Sequence, residues 1–359
     1  MNITIIGAGN IGTQIATHCA FKGHCVTMFT SKYDLISKTL NIVNELGETT
    51  LSGDIACATD DAKLAFGDAD LVFVTVPAFH MQKTAKTLLP YIKAGAKICL
   101  VPGSGGGEFA FKECIDKGCV LFGLQRVPSV ARLVEYGKTV CATGYRDELF
   151  VASIPTSYTK ECADIISGIF DMKCSVMPSY LNITLIPSNP ILHTTRLKTI
   201  FSDYYAGKTY DNVPLFYEGW TDESSSLLLA CDNEVQNICK ALDIFDLSFV
   251  KSLKIHYESE DAQQLTRKIT SIKSFKGLKT PCVESENGFA PNLDSRYFTA
   301  DFSFGLTILI QIADFLNLPC PNMKETMAWY DEISLQKERF NFADYCIKNL
   351  DDFIAFYKQ

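Results

Sequence analysis

The sequence predicts an α/β domain built on a mostly parallel, doubly wound sheet over residues 1–185, followed by an all-α domain over residues 186–359. Three observations predict it. Short β-branched runs alternate with amphipathic helical stretches up to about residue 185, a grammar that builds parallel sheets covered on both faces. A glycine-rich turn joins the first strand to the first helix. From Asn189 onward apolar residues recur only at helical spacing, for example Leu227, Cys231, Val235 and Ile238, or Leu306, Leu309, Ile310 and Ala313.

The elements follow in order. Asn2 to Ile6, Cys25 to Thr30, Ile55 to Thr59, Leu71 to Val76, Lys97 to Val101 and Val120 to Gly123 read as strands, with helices such as Ile11 to Lys22 and His80 to Ile92 between them. Lys138 to Thr143, Leu149 to Ser153 and Lys173 to Val176 are expected to finish the same sheet. Prolines 178, 187 and 190 punctuate a boundary passage from Met177 to Ser188. Lys273 to Asp294, rich in Gly, Pro, Asn and Ser, reads as irregular.

Composition narrows the function. Of 359 residues, 47% are hydrophobic and 21% charged, as in folded globular proteins. The net charge of −8, without a polybasic block, argues against nucleic acid or an anionic membrane as main partner. No apolar stretch reaches the roughly 18 residues of a membrane span, and no basic segment precedes an apolar signal core. The 14 cysteines are scattered without a Cys-x-x-Cys pair and read as small buried side chains in a cytoplasmic protein, with no metal site expected. The partner expected is a small molecule.

The first strand ends in Gly7-Ala8-Gly9-Asn10-Ile11-Gly12. In this context Gly7 makes the tight turn, Gly9 lets backbone approach a pyrophosphate, Gly12 lets helix and strand pack, and the helix N-terminus receives the phosphates. A dinucleotide cofactor is therefore expected. The second strand ends in Thr30-Ser31-Lys32 with no carboxylate to hold a ribose 2′-hydroxyl; hydroxyls and a lysine suit a 2′-phosphate and favour NADP over NAD. Thr30 and Ser31 could instead cap the next helix. Val76-Pro77-Ala78 is expected to wall the cofactor, and the four-glycine turn after Val101 to bring backbone N–H groups close to a nicotinamide or substrate carboxylate.

Five histidines are present, at 18, 24, 80, 193 and 256. His193 is singled out by Asn189-Pro190-Ile191-Leu192-His193: Asn before Pro starts a helix, and the histidine follows one turn in, on the face of Asn189. Asp301 introduces the apolar helix that begins at Phe302, five residues after Arg296, and could serve there only as a cap.

Taken together, the glycine fingerprint, the Val-Pro-Ala strand end, Asn-Pro-Ile-Leu-His, Leu215-Phe216-Tyr217-Glu218-Gly219 and Arg296-Tyr297-Phe298-x-x-Asp301 resemble the opine dehydrogenase family of octopine/nopaline type, over nearly the whole chain. The resemblance implies a Rossmann domain, a helical domain and a cleft between them. It implies that the amino group of an amino acid condenses with a 2-oxo acid such as pyruvate and that NAD(P)H reduces the imine. It implies that His193 and Asp301 form an acid–base pair, that Arg296 clamps a substrate carboxylate, and that Asn189 binds substrate or orients the ring. A second carboxylate would fall to backbone N–H groups near Gly105 or to Arg196.

Two positions depart from the family pattern: Ala300 stands where Glu often precedes the aspartate, and Thr194 where Pro commonly follows the histidine. Two alternatives stay open. One is a 2-oxo-acid or hydroxy-acid dehydrogenase of the ketopantoate reductase kind, for which only Lys198 could serve as the helix lysine. The other is a catalytically silent dinucleotide-binding protein. Apolar helices of the second half could pair in a homodimer, and a monomer fits equally.

Overall fold

Eight short runs rich in Val, Ile, Leu, Phe and Cys build the main sheet, whose central strands are buried on both faces. We label the strands β1 (Asn2–Ile6), β2 (Cys25–Phe29), β3 (Thr39–Val43), β4 (Thr49–Asp54), β5 (Cys57–Thr59), β6 (Leu71–Val74), β7 (Lys97–Leu100), β8 (Val120–Leu124), β9 (Val130–Glu135), β10 (Thr139–Thr143), β11 (Glu148–Ile154) and β12 (Lys173–Val176). The computed structural model describes residues 1–187, 189–336 and 338–359, so Ser188, the last residue of the expected boundary passage, lies outside the described residues.

The main sheet has the order β12-β11-β8-β7-β6-β1-β2-β5. β1 pairs in parallel with β2 on one side and β6 on the other, so the strand order reverses beside it. Ligands of open α/β sheets gather outside the carboxyl ends of strands at such a switch. The β11–β8 pair is antiparallel, and because β12 pairs in parallel with β11 these two strands run opposite to the other six. Helices Asn10–Phe21 and Thr159–Phe170 pack Ile15, Ala16, Cys19, Cys162, Ile166 and Ile169 onto the sheet.

One sheet expectation is corrected. The run 138–143 does not extend the main sheet; as β10 it joins a second sheet of order β4-β3-β10-β9. Its own pattern gives the reason: Val140 and Ala142 are buried while Thr139, Cys141 and Thr143 are half-buried. A strand of that period has one covered face and suits a sheet that is open on the other. The covered face packs Ile42, Ala131, Val140 and Ala142 against Ile11 and Leu51. Strands β3, β4 and β9 were not anticipated.

The chain divides into two units, Met1–Thr184 with Asp351–Gln359, and Leu185–Leu350. The expected helical domain of 186–359 thus differs at its end, because residues 351–359 belong with the sheet. The C-terminal helix Leu350–Tyr357 presents Phe353, Phe356 and Tyr357 on one face; Phe356 packs on Phe109 at 4.9 Å between ring centroids, and the Tyr357 hydroxyl donates to Glu108 at 2.9 Å.

The second unit is helical, with one hairpin, β13 (Cys282–Ser285) and β14 (Gly288–Pro291), inside the passage that reads as irregular. Its helix Asn189–Ile200 is buried from Pro190 to Leu197, hence surrounded by other helices instead of facing solvent. Asp222–Ala241 is capped by Thr221, which accepts the Ser224 N–H. Glu234 on that helix accepts the Asn322 and Met323 N–H groups at the start of Pro321–Ile333. The helical run Arg296–Phe315 has the length and composition of a membrane span, which the sequence reading did not anticipate; it is mostly buried inside the unit, as core helices are. All 14 cysteines are free thiols, half of them buried.

Candidate active site

At the end of β1 the chain turns at Gly7, whose φ is +100°, a conformation open to glycine. Gly12 is required by contact: a Cβ there would lie 1.9 Å from the Gly7 carbonyl oxygen. Nothing within 4 Å faces a Cβ at Gly9, which leaves space over the turn. The first intrahelical bond, Thr13 N–H to the Gly9 carbonyl, leaves the amides of Asn10, Ile11 and Gly12 free of helix partners at the positive end of a 12-residue helix. These residues fit a pyrophosphate. The Asn10 side chain is committed elsewhere, accepting the Leu133 N–H at 2.8 Å and so tying the turn to β9.

The neighbouring strand β6 ends in Thr75 to Ala78, and the Thr75 hydroxyl donates to the Ile6 carbonyl at 2.8 Å. Val76, Pro77 and Ala78 are half-buried there, next to the glycine turn. Thr30 is half-buried after β2, and its hydroxyl accepts the Lys32 N–H at 3.3 Å. Ser31 and Lys32 are exposed, with the Lys32 ammonium 5.4 Å from the Tyr136 ring. In the turn after Val101, a Cβ on Gly103 would meet Tyr180 and one on Gly107 would meet Leu100, so these two glycines serve packing.

In the helical unit, His193 and Asp301 meet across 108 residues of sequence: Nδ1 lies 2.8 Å from Asp301 Oδ2. Local structure brings them together. Pro190 occupies the first turn of the histidine helix, and Gly305 lies on it so closely that a Cβ would stand 3.0 Å from Pro190. Asp301 opens a π-helical segment, Asp301–Leu306, in which the Gly305 N–H reaches back to the Ala300 carbonyl. Such segments recur at functional sites because they re-aim side chains.

The imidazole is enclosed. Tyr297 stacks on one face at 4.2 Å, Phe216 meets it edge-on at 5.5 Å, and the Tyr217 hydroxyl lies 3.0 Å from Nε2. Since a carboxylate only accepts, Nδ1–H donates to Asp301; in the neutral ring Nε2 then accepts from Tyr217, and in the doubly protonated ring Nε2–H donates to it. Burial pushes the Tyr217 phenol well above its ordinary range, and Tyr297, Tyr257 and Asp301 push it further, so it stays a phenol at neutral pH.

Asn189 and Arg296 are exposed, Asn189 at the head of the histidine helix and Arg296 beside the stacked Tyr297. Arg296 makes no ion pair among the described residues. Arg196 is a correction. It is buried, its Nε donates to the Phe216 carbonyl at 2.9 Å, and its Nη groups donate to Ser224 and to the Gly219 carbonyl. Burial lowers its pKa to about 10. Its forks hold the 216–219 turn, leaving it unsuited to a substrate carboxylate. Lys198 pairs with Glu325 at 2.6 Å, which removes it as the lysine of the ketopantoate reductase alternative.

His18 is buried against Tyr145 and Phe170, and burial lowers its pKa to about 4. Residues missed from sequence are Tyr217 and Tyr297 as neighbours of the ring. Both lie in stretches that carry the family resemblance, Leu215 to Gly219 and Arg296 to Asp301, but composition alone assigns Phe216-Tyr217 and Tyr297-Phe298 to a core.

A glycine turn at the switch point of a doubly wound sheet and an enclosed His–Asp pair in a helical unit define a dinucleotide-dependent oxidoreductase. Residues 176–334 match the family described as NAD/NADP octopine/nopaline dehydrogenase, alpha-helical domain, and residues 2–103 match the NAD-dependent glycerol-3-phosphate dehydrogenase N-terminus. Octopine dehydrogenase of Mizuhopecten yessoensis is 25% identical over 92% of this chain and 90% of its own. Tauropine dehydrogenase of Arabella iricolor is 28% identical over 74% of this chain and 71% of its own. A structure of octopine dehydrogenase with NADH and L-arginine superimposes with a TM-score of 0.81 at 25% identity, covering 92% of this chain and 89% of that one. The chain is thus similar to the opine dehydrogenase family of NAD(P)-dependent enzymes over nearly its whole length, and that family's model matches most of its helical unit.

Proposed function

We propose that this protein joins the amino group of an amino acid to a 2-oxo acid such as pyruvate and reduces the product to a secondary-amine dicarboxylate. The observation that carries the reading is the 2.8 Å His193–Asp301 pair in a helical unit matched by the octopine/nopaline family. Relatives named octopine, tauropine and opine dehydrogenase support the reaction class. Bound NAD(P)H supplies the hydride that reduces the imine carbon.

The chain's own residues supply the rest. The amides of Asn10, Ile11 and Gly12 hold the pyrophosphate. His193, oriented by Asp301, gives and takes the proton of the carbonyl and carbinolamine oxygen, and Asp301 stabilises the charged ring. Arg296 presents a planar fork to the 2-oxo-acid carboxylate, and Asn189 offers an amide to substrate at the helix head. Thr30, Ser31 and Lys32 favour a 2′-phosphate and hence NADP, because no carboxylate stands at the end of β2 to repel it.

The test is a matrix of 2-oxo acids against amino acids with NADPH and with NADH. Oxidation that requires both organic partners, and a higher kcat/KM with NADPH, is expected. A rate unchanged on omitting the amine overturns the condensation, and an equal or better NADH rate overturns the cofactor preference.

A further inference from the structure

The enclosure of His193 poses a question about proton traffic. Asp301 takes Nδ1, Tyr217 takes Nε2, Tyr297 covers a face and Phe216 meets the ring edge-on, while the side chain is only 7% exposed. A proton on Nε2 therefore meets the Tyr217 oxygen first. Either Tyr217 swings away when substrate arrives or the proton passes through it.

The surroundings of Tyr217 argue against swinging. Arg196 donates to the carbonyls of Phe216 and Gly219, one on either side of Tyr217, from a buried position stacked over Trp220 at 5.4 Å. Gly219 is needed for this approach, since a Cβ there would lie 2.7 Å from the Leu215 carbonyl oxygen and 3.2 Å from the Arg196 guanidinium. The phenol ring is stacked on Phe275 at 4.1 Å and lies parallel to Trp220 at 6.3 Å. Rotating the ring aside would strip Phe275 of its stacking partner, and shifting the backbone instead would unpair a buried guanidinium, which is costly.

We propose that the Tyr217 hydroxyl is a catalytic proton relay between His193 Nε2 and the reacting oxygen of the substrate. The proposal rests on the condensation reading above. In the dehydration step the doubly protonated ring passes its Nε2 proton to the Tyr217 oxygen while Tyr217 passes its own proton to the carbinolamine oxygen. The C–O bond breaks, water leaves, and the nitrogen lone pair forms the C=N bond. Tyr217 ends as a phenol donating to Nε2, and the ring ends neutral with Nδ1–H on Asp301. The tyrosine thus never accumulates as phenolate, in keeping with its raised pKa. A residue that only fixed the histidine tautomer would leave one proton in flight, whereas the relay requires two.

The experiment measures single-turnover rates for the full chain with its best substrate pair, in mixtures of H₂O and D₂O, for wild type and Tyr217→Phe. The relay predicts a curved, two-proton dependence on deuterium fraction in wild type. It also predicts a loss of at least ~10²-fold in the variant's turnover, with substrate KM and NAD(P)H affinity changed less than about threefold. A linear, one-proton dependence in wild type overturns the relay, as does a folded variant within tenfold of the wild-type rate. Should Tyr217→Phe fail to fold, the wild-type dependence decides alone. If wild type reduces the 2-oxo acid without amine, the condensation reading fails and the relay is judged by the same criteria on that reaction. Wild type inert with every pair overturns both.

Discussion

Glu108 follows the glycine turn of residues 103–107 and is fully buried in the sheet unit. Its Oε1 accepts from the Thr184 hydroxyl at 2.5 Å and the Tyr357 hydroxyl at 2.9 Å, whereas Oε2 has no partner among the described residues. Burial is the dominant cause and raises its pKa from 4.5 to about 7, against the smaller downward pull of its hydrogen bonds. Between those two values the folded chain holds a proton that the unfolded chain has lost, so the group's contribution is fully present below pH ~4.5, falls as pH rises and is gone above ~7. At about 1.4 kcal/mol per pH unit, that amounts to about 3 kcal/mol.

Glu108→Gln removes the titration while keeping a carbonyl for both hydroxyls, and leaves an amide N–H₂ where Oε2 was, at a cost of about 1 kcal/mol or more. The variant is therefore expected to be less stable than wild type at pH 5 and more stable at pH 8. For a unit of this size the difference in Tm between variant and wild type should change by roughly 5–10 °C across that range. Thermal unfolding of both proteins at pH 5, 6, 7 and 8, followed by near-UV circular dichroism, provides the measurement. Stability curves that run parallel in pH would refute the assignment, because only a group titrating differently in the folded and unfolded states separates them.

Three further outcomes are expected. His193→Ala should lower turnover at least ~10²-fold while leaving NAD(P)H affinity nearly intact; a fall below tenfold in stopped-flow NAD(P)H oxidation removes the ring from the chemistry. Gly12→Ala places a methyl group against the Gly7 carbonyl oxygen, and displacing that turn by overpacking, at about 1–3 kcal/mol, should weaken NAD(P)H binding roughly 10–100-fold by fluorescence titration. Arg296→Lys keeps the charge but loses the two-pronged fork, so the KM for the 2-oxo acid should rise about tenfold or more with the amine KM little changed; equal rises in both would assign Arg296 elsewhere.

Much of the sheet unit was legible because its signals are local. β1, the glycine turn and the first helix lie within 21 residues, and Gly12 is required by the Gly7 carbonyl only five residues before it. The second sheet was not legible, because β3 and β4 are short and polar on one face, and β3 pairs with β10 nearly a hundred residues later. The C-terminal helix shows the same limit: Phe353, Phe356 and Tyr357 announce an apolar face, but nothing local says that it packs with the sheet unit. In the site, Asn189-Pro190 marks the start of a helix, and Asp301 and Arg296 were named through family resemblance. Arg196 misled because an arginine beside the histidine looks available until its three hydrogen-bonded partners are seen.

The sequence by itself determined the glycine turn, the positions of most main-sheet strands and the helical character of the second half, since periodicity and glycine geometry act over a few residues. Only the tertiary structure decided that His193 lies 2.8 Å from Asp301, that Tyr217 closes its other nitrogen, and that Arg196 is spent on the turn that holds Tyr217. Those contacts join positions 20 to 108 residues apart. They depend on which elements pack and how closely, a choice made by Gly305 against Pro190 and Gly219 against the Arg196 guanidinium, where the absence of a side chain sets the distance and no local pattern records it.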